Sequence, residues 1–183
     1  MIKNYTNRTD EKEYDWFIEK NVTRTELIIK IPVKIKNVME YLSKKYRGLE
    51  FSIITSTRYN KEEDIFIMNK EFYIPEQYVS RVFIDYKESI PPQYNTVIHK
   101  HPNGINHFSS TDVEYINTNF DFSLLWVNGQ FEIGVTNIMS VYGKISFPLF
   151  PIIEYEELKK SQLKKIKIQK RRLEKFYEEQ NII

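Results

Sequence analysis

The sequence predicts an α/β fold of the α+β kind, a mixed β-sheet flanked by helices. Three observations point there. β-rich runs recur along most of the chain, while two stretches carry helical spacing. A hairpin signal joins two of the runs directly, so the order is not a regular strand–helix–strand series. A long charged stretch at the end, residues 154–180, reads as one further helix.

At 183 residues the chain suits one domain with appendages. The expected organisation is an N-terminal arm over 1–24, a main domain over 25–153 and a basic helix over 154–183. With 41% hydrophobic and 28% charged residues, the class is globular. No apolar run approaches the length of a bilayer span, and Met1 to Lys20 lacks the apolar core of a signal peptide. There are no cysteines, which excludes disulfides, cysteine-held zinc and thiol nucleophiles, and fits an intracellular location. Any metal must therefore be held by histidine and carboxylates. A net charge of +2 points to no nucleic-acid partner.

The elements follow in order. Leu27, Ile28, Ile29 and Ile31 form an apolar run ended by Pro32, a strand. Val38, Leu42, Tyr46 and Leu49 are spaced as a helix over 33–49, with Asn37 as its N-cap and Gly48 as a stop. Phe51 to Ser56 and Ile65 to Tyr73 read as two strands of a hairpin, and Val79 to Tyr86 as another β-rich run. Thr96 to His101 is a short strand terminated by Pro102. A helix starts near Ser109 and runs to about Asn117. Phe122 to Val127, Phe131 to Val135 and Ser140 to Phe147 are three more strands, the first two joined by Asn128-Gly129.

Two of the three histidines form His99-Lys100-His101. On a strand, residues two apart face the same side, so both imidazoles can converge on one ion while Lys100 faces away. Beyond a polar loop comes Ser109-Ser110-Thr111-Asp112, and Asp112 can supply a third ligand from the first helical turn. Three protein ligands leave one position for water, the catalytic pattern of a zinc site. Taken alone, Ser109 and Asp112 also fit an S-x-x-D capping box. Other metal patterns fail. There is no HExxH, the zinc deaminase set needs cysteines, and an amidohydrolase barrel needs a longer chain.

With His99-Lys100-His101-Pro102 followed at the matching distance by Ser109-Ser110-Thr111-Asp112, the sequence resembles the JAMM, or MPN-plus, metallopeptidase family. The resemblance covers approximately Leu27 to Phe147. It takes in Ile74-Pro75-Glu76-Gln77, similar to an IPxQ-like segment of some prokaryotic and viral members. It implies a curved sheet sandwiched by helices, in a cytidine-deaminase-like architecture, with one Zn2+ held by His99, His101 and Asp112. The family's upstream glutamate follows the first helix, and Glu50 occupies that place; Glu71 and Glu76 are weaker alternatives. By resemblance Glu50 takes a proton from the zinc-bound water and passes it to the leaving amine, and Ser109 hydrogen-bonds the developing oxyanion.

The implied function is a zinc-dependent metallopeptidase or isopeptidase acting on a protein or peptide substrate, a ubiquitin-like or small carrier protein among the candidates. Relatives that act in phage particles extend the expected location to viral or phage-associated settings. The rival class is a non-catalytic scaffold of the MPN type. Lys159 to Lys175 holds nine basic residues and one acidic residue. That helix reads as a surface that packs on the domain, pairs with another copy or meets an acidic partner. A dedicated nucleic-acid role is not expected.

Overall fold

The computed structural model describes residues 27–102, 104–116, 119–140 and 143–155. The arm expected over 1–24 lies outside them, as does the terminal helix beyond Tyr155. Leu27–Pro32 (β1) buries Leu27, Ile29 and Ile31 and leaves the intervening residues more exposed, the period-two signature of a strand with one face in the core. Val33–Lys45 (α1) follows without a loop. Pro32, with φ −60° and ψ 139°, is its N-cap and makes no side-chain cap bond. The helix therefore starts before Asn37, which sits inside it, and ends before Leu49. Ile35, Met39 and Leu42 form its buried face.

The remaining strands are Phe51–Asn60 (β2), Ile65–Tyr73 (β3), Gln77–Val79 (β4), Ile84–Tyr86 (β5), Thr96–Lys100 (β6), Phe122–Val127 (β7), Gln130–Thr136 (β8), Ile138–Ser140 (β9), Gly143–Ile145 (β10) and Pro148–Glu154 (β11). Seven of them close into a barrel in the order β1, β11, β8, β7, β6, β2, β3. This overturns the expected open sheet flanked by helices. Among the described residues α1 is the only α-helix longer than a turn.

Closure comes from β1. It pairs in parallel with β11 from Leu27 opposite Leu149 to Pro32 opposite Glu154, and with β3 at Ile29 opposite Phe66. Both edges that an open sheet would leave unpaired are thereby satisfied. The other departures are local. The stretch read as one strand over 140–147 holds the short β10, while Pro148–Glu154 is a strand, so no helix begins at Glu154. β8 pairs with β11 only at Pro148 and Leu149, which leaves Pro151 beyond the point where its missing N–H would break a ladder bond to β8. The helix expected from Ser109 is present from Ser110, and it takes π-helical form over Asp112–Ile116.

The hairpin signal is realised. Asn128 and Gly129 both adopt positive φ, 52° and 86°, as a two-residue turn between β7 and β8 requires. On β8, Gly134 faces β11 so closely that an added Cβ would stand 2.7 Å from the Leu149 Cβ. The main core gathers Ile29, Ile31, Phe66, Ile53, Ile98 and Trp126 with the buried face of α1. A second, smaller cluster of Ile54, Val97, Ile90 and Phe120 lies on the other face of β2 and β6. No helix among the described residues is long and apolar enough to cross a membrane.

Candidate metal centre

The alternation along β6 decides where the histidines point. Ile98 joins the main core and Val97 the second cluster, so successive side chains leave opposite faces. His99 and His101 therefore share the face of Val97, and Lys100 takes the other. His101 lies one residue past β6, where its backbone N–H donates to the Trp126 carbonyl at 3.1 Å and keeps it in line with the strand.

β2 brings the glutamate. In the antiparallel register Ser52 stands opposite His99 and Phe51 opposite Lys100, so the next step sets Glu50 opposite His101. Opposed residues share a face. The β4–β5 ribbon secures this end of β2. Pairing of β2 with β3 starts only at Ile54. Upstream, the Gln77 side chain takes the place of a strand: its Oε1 accepts from Ser52 N at 3.0 Å and its Nε2 donates to Ser52 O at 2.9 Å. Glu50 N donates to Ser80 O at 2.7 Å. Gln77 closes the Ile74-Pro75-Glu76-Gln77 segment, whose spacing alone gave it no such task.

Four buried side chains meet here: Glu50, His99, His101 and Asp112. His99 Nδ1 is 3.0 Å from Asp112 Oδ1, and His101 Nε2 is 3.1 Å from Asp112 Oδ2. His99 Nε2 is 3.7 Å from Glu50 Oε2. Glu50, His99 and His101 each offer a ligand atom within 4.8 Å of the others. Donor atoms bound to one tetrahedral ion at about 2.0–2.1 Å stand roughly 3.3–3.4 Å apart. The two His–Asp112 separations lie just below that value and the His99–Glu50 separation, from the other imidazole nitrogen, just above it. Despite the short approach, neither His99 nitrogen is aligned as a hydrogen bond to anything, and His101 Nδ1 is equally without a partner. His101 Nε2 does bond Asp112 Oδ2, but a buried imidazole such as His99 that approaches carboxylates without bonding them suits a shared cation, and the donor set fits one.

Asp112 is anchored by Ser109. Ser109 N and Oγ both donate to Asp112 Oδ2 at 2.7 Å, and Asp112 N donates back to Ser109 Oγ at 3.2 Å. This reciprocal pair is a capping box, and it aims the carboxylate at the histidines. Ser109 itself is exposed, as is His107, which takes no part. Glu71 lies exposed on β3 and pairs with Lys34. Lys100, on the far face, donates from Nζ to Leu49 O at 2.7 Å; burial pushes its ammonium below the usual value, with the Glu50 charge opposing. The cavity of about 650 Å³ between Pro32, Arg58, Met68 and Tyr155 contains none of the four residues.

Burial penalises a charged His99, but the close approach and charge of the Asp112 and Glu50 carboxylates outweigh it and raise His99 above its ordinary 6.5. Burial likewise penalises the Asp112 carboxylate, yet His101, His99 and Ser109 hold it far below its ordinary 3.8. The raised histidine stabilises the fold fully below 6.5 and loses that contribution as pH rises through its folded value. The depressed aspartate contributes fully above 3.8 and loses it as pH falls. In chelator-treated protein the pair should therefore be most stabilising between 3.8 and 6.5. Thermal melting across pH checks this; a melting temperature that does not fall toward alkaline pH would contradict it.

No known family profile matches the sequence, and no curated protein matches it. Among solved structures the chain is similar to a JAB1/MPN domain protein from Archaeoglobus fulgidus, with 9% sequence identity and a TM-score of 0.39, over 69% of this chain and 99% of that one.

Proposed function

We propose that this chain is a zinc-dependent hydrolase of amide bonds, a JAMM-type metallopeptidase that cleaves a peptide or isopeptide bond in a protein substrate. The observation that carries the reading is the convergence of two buried imidazoles on two carboxylates, with both His99 nitrogens left unbonded among the described residues. In this reading His99, His101 and Asp112 hold the ion. His99 faces Asp112 with Nδ1 and Glu50 with Nε2, and one imidazole gives an ion only one nitrogen. Glu50 is then left free for proton transfer. A bound Zn2+ would supply Lewis acidity and a water ionisable near neutral pH.

The chain's own residues supply the rest. Glu50 accepts the proton of the attacking water at its carboxylate and returns it to the leaving amine, held in place by Ser80 and by the Gln77 clamp on Ser52. Asp112, fixed by Ser109, is pre-formed as a carboxylate across the working pH range. Ser109, at the exposed edge, stabilises the substrate carbonyl oxygen as charge develops there by turning its one hydroxyl proton from Asp112 to that oxygen, while Ser109 N keeps its bond to the carboxylate.

The test is a panel of ubiquitin-like fusions and isopeptides incubated with the zinc-loaded chain. Cleavage that chelator abolishes and zinc restores is expected. Zinc binding without cleavage of any amide substrate would favour a scaffold. Ser109→Ala separates two roles. It should keep the metal, lower stability by about 0.5–2 kcal/mol through the lost cap, and lower the rate by about 10²–10³-fold. An unchanged rate with lowered melting temperature would confine Ser109 to capping.

A further inference from the structure

On the face of β6 opposite the histidines, a cavity of about 310 Å³ lies where β6 and β7 pass the end of α1. Glu40, Ser43, Lys44, Arg47, Lys100, Trp126 and Asn128 line it. Lys100 and Trp126 are paired across the β6–β7 ladder and so present side chains to the same face.

Donors outnumber acceptors among these side chains; besides the Ser43 hydroxyl, the acceptors are Glu40 and the Asn128 amide oxygen. Among the described residues Trp126 Nε1, in a side chain only 1% exposed, has no hydrogen-bond partner, and neither does the buried Ser43 Oγ. An indole N–H can only donate, so leaving it buried without an acceptor carries the full desolvation cost of the group. Lys100 Nζ, also buried, gives one proton to Leu49 O and has two more to give. Lys44 and Arg47 add positive charge. The one carboxylate, Glu40, is already paired with Lys36. Basic residues at a helix end are ordinary complements of the helix dipole. Lys44 and Arg47 alone would therefore mean little, but the buried indole and hydroxyl have no such explanation.

We propose that this cavity binds the oxyanion of a small ligand, a carboxylate or a phosphate, which accepts hydrogen bonds from Lys100 Nζ, Trp126 Nε1 and Ser43 Oγ. The site is separate from the metal centre, since a strand stands between them, and it holds whether or not the chain is a hydrolase.

The experiment follows the two indole N–H signals of the full chain by 15N NMR, with Trp126→Phe used to tell Trp126 from Trp16. Inorganic phosphate and acetate are titrated at an ionic strength held constant with chloride. A saturable shift of the Trp126 signal is expected with at least one of them, with Trp16 unmoved. Response to phosphate alone assigns a phosphate-bearing ligand, and response to acetate alone a carboxylate. Ser43→Ala and the exposed-site variant Arg47→Ala should each weaken the binding several-fold while the spectrum stays that of a folded chain. The proposal is overturned if neither anion shifts Trp126 saturably, if both indole signals drift together, or if both variants bind as the wild type does.

Discussion

Replacing Glu50 by glutamine should lower amide hydrolysis by about 10²–10⁴-fold while zinc content stays at about one ion per chain. Glutamine keeps the shape of the side chain and its place opposite His101, so the antiparallel register and the Gln77 clamp are undisturbed. It cannot accept a proton. The expected signature is a fall in kcat with KM nearly unchanged, because the interaction lost is one made in the transition state. The opposite pattern is equally informative. Glu50, His99 and His101 form a mutually close triad of their own. If Glu50→Gln sheds the metal, Glu50 is a ligand and the base lies elsewhere.

Asp112→Ala should remove the metal. Loss of a group that merely orients a ligand costs roughly 10–100-fold in affinity, and loss of a ligand should exceed that. Asp112 also joins three partners through one carboxylate, His99, His101 and Ser109. Breaking a buried charged cluster by removing one member costs about 3–5 kcal/mol, so the alanine variant should melt at lower temperature even without zinc. Asp112→Asn retains the size and the Ser109 contacts and keeps the two effects apart. It should fold better than the alanine variant and still show little of the rise in melting temperature that zinc gives the wild type. Full zinc stabilisation of Asp112→Asn would remove Asp112 from the ligand set.

Much of this site was legible from spacing. Two histidines with one residue between them must share a strand face, and β6 shows that they do. Ser109 and Asp112 at a spacing of three read equally as a cap and as a ligand mount, and the structure contains the cap. Glu50 was placed by family pattern. What puts it beside the histidines is the long-range pairing of β2 with β6, which no local pattern encodes. The Gln77 bridge was invisible for the same reason, since a side chain that stands in for a strand leaves no periodicity.

The fold class failed at its long-range step. Single strands such as β1 and β7 stood out in the sequence, but the parallel pairings of β1 with β11 and β3 that close the barrel join residues far apart in the chain. β11 hid itself further. Pro148 and Pro151 argue against a strand, and the segment between Phe147 and Glu154 carried no assignment. The helix after Ser109 was legible, but its π-helical form over Asp112–Ile116 was not, since so short a spacing pattern does not reveal one extra residue in a turn.

The whole account rests on one divalent cation shared by the imidazoles and Asp112. Its most direct test is a zinc titration of the metal-free wild-type chain, followed through the histidine side-chain nitrogens by NMR. The expected result is saturation at about one zinc per chain, with His99 and His101 shifting together and His107 unmoved. Zinc that fails to bind, or that binds without moving both His99 and His101, would contradict it.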